Sequence, residues 1–348
     1  MAALLVVPAL AAPALPAGAA VPPGAVVPPG AVVTASSAVV TASGGRPPAD
    51  RPNTLAAARR AAATSRNAWV GDRLSTARDK DWFRFVIPRG TWTKLTLGAL
   101  PADYRLSLFD SAGRRLAVSD RRGTVYEEVS RGLAAGTYFV LVDSTGARDA
   151  RRPYRLQLRS FRPGLSVQSL RRTPAAVTLV GELFNNTAQW RAVATMRVAF
   201  VDRRGRVLGT SPEAYIPGQR VAPRETVGFI LMLAPDEFPR GTTGFRVTPI
   251  NAALPRPPAH RLSVRVTRRT VQASGRTHWF AAANAGQRVE EAHVTVREYD
   301  DLGVLTRLAF ETVSVPARGT ARGSVQTWPL LARPARTVVG VRPAYWLD

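Results

Sequence analysis

Apolar and polar residues alternate in short runs along most of this chain, and three of those runs end alike. Leu106–Asp110 leads into Ser111-Ala112-Gly113, Met196–Asp202 into Arg203-Arg204-Gly205, and Val294–Asp300 into Asp301-Leu302-Gly303. A period of two puts successive side chains on opposite faces of a strand. Asp at the first turn position bonds its own backbone, and Gly at the fourth accepts positive φ. The spacing therefore predicts a β-hairpin each time. Asn186 precedes Asp202 by sixteen residues and Asn284 precedes Asp300 by sixteen, so the second and third segments are expected to be built alike.

Between Asn67 and Ser160 the strand signals come at regular intervals: Trp82–Val86, Thr93–Leu97, Tyr104–Phe109, Arg115–Ser119, Val125–Val129, Thr137–Val142 and Tyr154–Leu158. Gly- and Pro-bearing turns separate them, the pattern of a β-sandwich. Ala176–Phe184, Val193–Asp202, Val207–Thr210, Val227–Leu233 and Phe245–Thr248 supply a second set. Phe280–Asn284, Val289–Asp300, Gly303–Leu305 and Val315–Gly319 repeat the plan more loosely. The expected fold is all-β: three consecutive antiparallel sandwiches, jelly-roll or Ig-like, over 67–162, 163–256 and 257–348, after a disordered Ala/Pro-rich N-terminus.

A length of 348 residues allows two or three domains, each with its own core. Cysteine is absent, which excludes disulfides, thiolate metal sites and thiol nucleophiles. The formal charge of +24 points towards anionic partners. All but two of the 48 Lys and Arg residues are arginine, the bias a GC-rich genome produces whatever the function. Arg84, Arg105, Arg155, Arg197, Arg265 and Arg297 alternate with apolar residues, as solvated strand faces do. General attraction to polyanions is expected, and a specific nucleic-acid site is not.

Residues 1–20 are apolar and end in small residues around Ala17-Gly18-Ala19, the form of an export signal, although the first positive charge is Arg46. Pro8, Pro13 and Pro16 argue against a membrane-spanning helix. The tandem VPPGA units that follow predict an extended tether, with flexible chain to residue 66. Within it Thr54–Arg66 is Ala-rich and is expected to form at most a marginal helix.

Two family resemblances emerge. Asp79-Lys80-Asp81-Trp82-Phe83-Arg84-Phe85, Asp103-Tyr104 with Leu106–Asp110 and Gly113, and Leu133–Val140 resemble the bacterial pre-peptidase C-terminal (PPC) domain over 67–160. That resemblance implies a secreted sandwich with an accessory role in secretion or in binding substrates such as collagen or polysaccharide. Arg105 replaces the family's second acidic residue. Gly181–Thr187 followed by Phe200–Thr210 resembles the FxLYD-type Ig-like domain of exported bacterial proteins over roughly 175–250. Val221-Ala222-Pro223-Arg224-Glu225 stands where that family has a Pro-Gly-Glu turn, and Arg224 departs from it.

Candidate chemistry is sparse. Asp72, Asp79 and Asp81 offer oxygens to Ca²⁺, as some PPC relatives do there; the plainer reading is turn and strand-cap residues. No other cofactor is expected. Trp92 is the more open of two possible stacking platforms, Trp82 belonging to an apolar run. Arg105 is paired with Trp92 as the candidate binding residues. Glu291 and His293 share a strand face but make a two-ligand set at best. Glu127-Glu128 and Asp300-Asp301 are adjacent, so on a strand they point apart. Asn185-Asn186-Thr187 forms an N-x-T sequon, read as a turn. No His-Glu-x-x-His and no Gly-x-Ser-x-Gly occurs in the sequence.

The expectation is a secreted or cell-surface, non-catalytic protein that contacts envelope or extracellular polymers, whether polysaccharide, protein or polyanion. The alternatives are an accessory module for a separately encoded secreted peptidase, a general polyanion binder, and a hydrolase using Glu291/His293 or Asp79/Asp81. No transmembrane span is expected, and oligomeric state is left open.

Overall fold

Nearly every run of alternating residues becomes a strand. The computed structural model describes residues 51–348 other than 77, 145, 147–148, 150, 162–163, 173–177, 212–219, 233–238, 255, 257–259, 273–274, 328–333 and 345–348. The export-signal and tether readings for 1–50 lie outside the described residues.

The chain opens with α1 (Leu55–Arg60) and then β1 (Trp69–Asp72), β2 (Asp81–Ile87), β3 (Thr91–Gly98), β4 (Arg105–Phe109), β5 (Arg115–Ser119), β6 (Glu127–Leu133), β7 (Gly136–Asp143) and β8 (Tyr154–Phe161). They form two four-stranded antiparallel sheets, β1-β8-β3-β6 and β2-β7-β4-β5. Alternation decides which side chains meet between them. Phe83, Phe85 and Ile87 from β2 face Leu95 and Leu97 from β3 in a buried core that also takes Leu106, Leu108, Val140, Leu156 and Leu158.

The second region contains β9 (Leu165–Arg172), β10 (Thr178–Asn185), β11 (Trp190–Val201), β12 (Val207–Ser211), β13 (Arg220–Val221), β14 (Thr226–Met232) and β15 (Gly244–Leu254). One sheet runs β14-β10-β9; in the other, β11 pairs with β12, β13 and β15. Their core is Leu179, Leu183, Val193, Met196, Val198, Phe200, Val227 and Phe229. The third region contains β16 (Leu262–Gln272), β17 (Gly275–Asn284), β18 (Glu290–Tyr299), β19 (Leu305–Val315), β20 (Thr320–Thr327) and β21 (Arg336–Pro343). Its sheets are β16-β17-β20 and β19-β18-β21, closed on Phe280, Ala282, Val294, Val296 and Val325. The fold is thus all-β with paired antiparallel sheets. Among the described residues no helix is long and apolar enough to cross a membrane.

The three Asp-x-x-Gly turns are the same structure. Oδ1 of Asp110 accepts from the amides of Ala112 and Arg114 (3.0 and 2.9 Å). Asp202 does so from Arg204 and Arg206 (both 2.9 Å), and Asp300 from Leu302 and Val304 (3.0 and 2.9 Å). Gly113, Gly205 and Gly303 take φ of 86°, 76° and 70°, as the spacing demanded.

The asparagine equivalence needs a correction. Asn284 donates to the carbonyls of Arg288 (2.7 Å) and Val315 (3.3 Å), and its amide donates to Gly319 O (3.0 Å). The residue with the matching set is Asn185, through Gln189 (2.8 Å), Val221 (3.0 Å) and Glu225 (3.0 Å), not Asn186. The cause is a register shift in β11 between Val193 and Thr195, which inserts one residue that β18 lacks. Asn185 is fully buried, so the sequon holds strands together. Arg224 and Arg318 occupy equivalent left-handed positions, φ 63° and 51°. Glycine is favoured at such positions, so both arginines hold a backbone conformation that L side chains rarely adopt.

Residues 51–66 also differ from the flexible chain expected. Thr54 caps α1, its hydroxyl accepting from Ala57 N at 3.2 Å. Leu55 and Ala58 pack against Trp82, Phe139, Leu141 and Phe109 on the outer face of β2-β7-β4-β5. Two small apolar residues one turn apart suffice because the sheet presents aromatic rings to them.

Candidate functional site

Three sheets turn their outer faces towards one junction, and the ionisable side chains there are matched. Val180 and Ile230 from β10 and β14, Tyr299, Leu305, Leu308 and Val338 from the third region, and Val125 and Tyr126 from the first form a fourth apolar cluster. The Tyr299 hydroxyl donates to Glu182 (2.7 Å), whose carboxylate lies 3.8 Å from Arg297. Arg336 donates to the Tyr126 hydroxyl (3.1 Å), and Lys94 pairs with Glu128 at 2.9 Å. Close backbone approach completes the contact. Ala99 N donates to Asp301 O (2.9 Å), and a Cβ on Gly303 would lie 2.8 Å from the Tyr126 ring.

The electrostatics follow from that packing. Burial works against the Lys94 ammonium, but Glu128 and Glu182 outweigh it and hold its pKa above the ordinary range. Burial likewise raises Glu128, and Lys94 reverses the shift, leaving the carboxyl below its usual range. Arg159, buried with Glu182 as its partial compensation, is pushed down to about 10. Burial, then Glu182, drives the Tyr299 hydroxyl far up. The charged groups of the junction are thus paired, Glu182 and Arg297 across regions of the chain.

A second buried cluster locks the third sandwich. Fully buried Glu298 on β18 accepts from Arg307 (2.8 Å), Arg276 (3.2 Å) and the Thr327 hydroxyl (3.2 Å), with His278 Nε2 at 3.4 Å. Those partners sit on β19, β17, β20 and β17, so one carboxylate ties both sheets.

The residues expected from sequence to bind are engaged internally. Arg105 makes a two-pronged pair with Asp143 directly across the β4–β7 ladder, at 3.0 and 2.7 Å. Trp92 is half-buried against Phe184, ring centres 5.4 Å apart, with the Arg224 guanidinium 4.5 Å from its own centre. It is a joint between first and second regions, not an open platform. Asp72 pairs with Arg51 (3.3 Å), Asp79 accepts from the Ser75 amide and hydroxyl (2.5 and 2.7 Å), and Asp81 accepts from the buried Tyr154 hydroxyl. Among the described residues no group of three or more Asp, Glu or His side chains is placed to hold a metal ion. Trp82 lies in the α1 contact, 5.0 Å from Phe109. His293 is buried beside Thr312 (3.1 Å), while Glu291, two residues before it on the same strand, is exposed.

The surface that sequence reading missed is the outer face of β16-β17-β20. Register places Arg268, Trp279 and Ser324 in one row, and Arg265, Ala281 and Arg322 in the next. Phe280 and Ala282 point into the core, which sends Trp279 and Ala281 outward. Trp279 is 43% exposed, and Arg265, Arg268 and Arg322 are exposed. These three strands carry Arg265, Arg268, Arg269, Arg276 and Arg322 and no Asp or Glu. The available signal was Trp279 falling on the polar phase of Thr277-His278-Trp279-Phe280. Starting that strand at Phe280 hid it.

No protein-family model matches the chain, and no curated protein matches it. Among solved structures it is similar to the pre-peptidase C-terminal domain of a collagenase from Bacillus anthracis, at 14% identity. That similarity covers 27% of this chain and 89% of that one, with a TM-score of 0.23.

Proposed function

We propose that this chain is a secreted or surface-exposed, non-catalytic binding protein that holds extracellular or envelope polymers on an open strand face. The observation carrying this reading is the exposed Trp279 among arginines on a sheet without carboxylates. A flat face of three strands suits an extended chain better than a small molecule, which prefers an enclosed cleft. The ionisable groups that converge elsewhere, at Glu182 and Glu298, are bound into ion pairs that join strands. They serve as fasteners, which supports a binding role over a catalytic one. The export-signal reading of residues 1–20 and the resemblance of 67–160 and 175–250 to exported modules support the location.

Retention of the purified full chain on immobilised polysaccharides, collagen and cell-envelope fractions tests the proposal. Low-salt retention on at least one polymer is expected, and uniform failure to bind contradicts it. Fractionation with N-terminal sequencing of the mature form tests the location; a cytoplasmic, unprocessed protein contradicts that part.

A further inference from the structure

From the geometry of the outer β16-β17-β20 face we infer that its ligand is an acidic polysaccharide, with Trp279 stacking on a sugar ring and Arg265, Arg268 and Arg322 pairing with its carboxylate or sulfate groups. The inference rests on the polymer-binding reading above and specifies its site and ligand class.

Charge complementarity selects the anion. Among the described residues Arg265, Arg268 and Arg322 have no ion-pair partner, unlike Arg105, Arg276, Arg307 and Arg342. A guanidinium left without a carboxylate keeps its planar fork of donors for a ligand oxyanion, which it grips at two points. Arg265 and Arg322 both stand opposite Ala281, so they are two strand spacings apart, roughly 9–10 Å. Such a separation is comparable to that between acidic groups in polymers carrying one per disaccharide. Trp279 lies diagonal to both and directly beside Arg268.

The remaining neighbours choose the sugar. Ser324 beside the indole and Ala281, buried in the next row, are both small, so neither side chain stands above the exposed part of the ring. Stacking buries the apolar face of a pyranose while its hydroxyls stay in water. A single-stranded nucleic acid is the competing anion, but its successive bases require successive aromatic platforms. Trp279 is the one aromatic side chain that the described part of this face presents outward.

The test uses the full chain with polygalacturonate, hyaluronate, neutral dextran and single-stranded DNA in affinity electrophoresis. The wild type should be retarded by both acidic polysaccharides and not by dextran. Trp279→Ala should weaken retardation about tenfold and Trp279→Tyr should restore most of it. Arg265→Ser/Arg268→Ser/Arg322→Ser should weaken it more than tenfold. Arg122→Ser/Arg203→Ser/Arg204→Ser removes the same charge from exposed turns and should leave it nearly unchanged. All four changed arginine and tryptophan positions on the face are exposed, so the variants should fold, which far-ultraviolet circular dichroism checks. Acidic-polysaccharide binding that ignores Trp279 and the face arginines, or that falls equally in both triple variants, overturns the site and spares the polymer-binding proposal. Stronger retention by DNA overturns the ligand class. Failure of the wild type on every polymer, protein ones included, overturns both.

Discussion

The two sheets of the third sandwich treat charge in opposite ways. Sheet β19-β18-β21 faces the second region, and its Tyr299, Arg297 and Arg342 each find a partner there in Glu182 or Glu225. Sheet β16-β17-β20 faces solvent with arginines on its outer side and no acidic residue to meet them. Each sheet is a hairpin, β16-β17 or β18-β19, with one further antiparallel strand, so topology does not account for the contrast. Buried charge is costly unless paired, whereas exposed charge is left free at little cost. The paired face holds the protein together and the open face is available to a ligand.

The sharpest way to break this comparison is at Glu298. Glu298→Ala leaves Arg307, 5% exposed, without its carboxylate and should cost about 3–5 kcal/mol in urea unfolding. A cost near zero would mean that paired charges do not hold the sandwich. The next test uses two copies of one turn. Gly205→Ala meets open space at φ 76° and should cost about 1–2 kcal/mol. Gly303→Ala, at φ 70°, also meets Tyr126 and should cost about 1–3 kcal/mol more. Equal costs would show that the junction around Tyr126 does not form.

Acid offers a milder probe. Burial pushes the Glu298 carboxyl up, but His278, Arg307 and Arg276 outweigh it and hold it below the usual range. Because its folded pKa is depressed, its contribution is complete above the unfolded value of about 4.3 and is lost as pH falls through the folded one. Glu298→Gln should therefore narrow the difference in stability between pH 7 and pH 3 relative to the wild type. The smallest effect belongs to the open face: Trp279→Ala should change stability by about 0.5–1 kcal/mol, since the side chain is 43% exposed and lies outside the core.

Local features were legible in the sequence and non-local ones were not. Each Asp-x-x-Gly turn closes on its own backbone, so spacing alone identified it. The offset between Asn185 and Asn284 escaped because a one-residue bulge in β11 carries no residue signature. Strands β1, β9, β16, β20 and β21 were not placed; β16 alternates cleanly from Leu262 to Thr267, and only Arg265 in it was noted as a strand-face residue, so the two open arginines it supplies were not joined to a sheet. Helix α1 was read as marginal because its stability comes from Trp82 and Phe139, more than twenty residues away. Trp92 was kept as a candidate stacking platform for the same reason: Phe184 and Arg224 pack on it from another part of the chain. A partner distant in sequence leaves no mark on the periodicity of either segment.

The most direct test of the central contrast is the salt dependence of polygalacturonate binding. Each arginine that pairs with the polymer releases roughly one counterion, so log K against log salt should lose about two to three units of slope in Arg265→Ser/Arg268→Ser/Arg322→Ser. The turn variant with the same net charge should keep the wild-type slope. Equal loss in the two variants would contradict the claim that the open face, and not overall charge, holds the ligand.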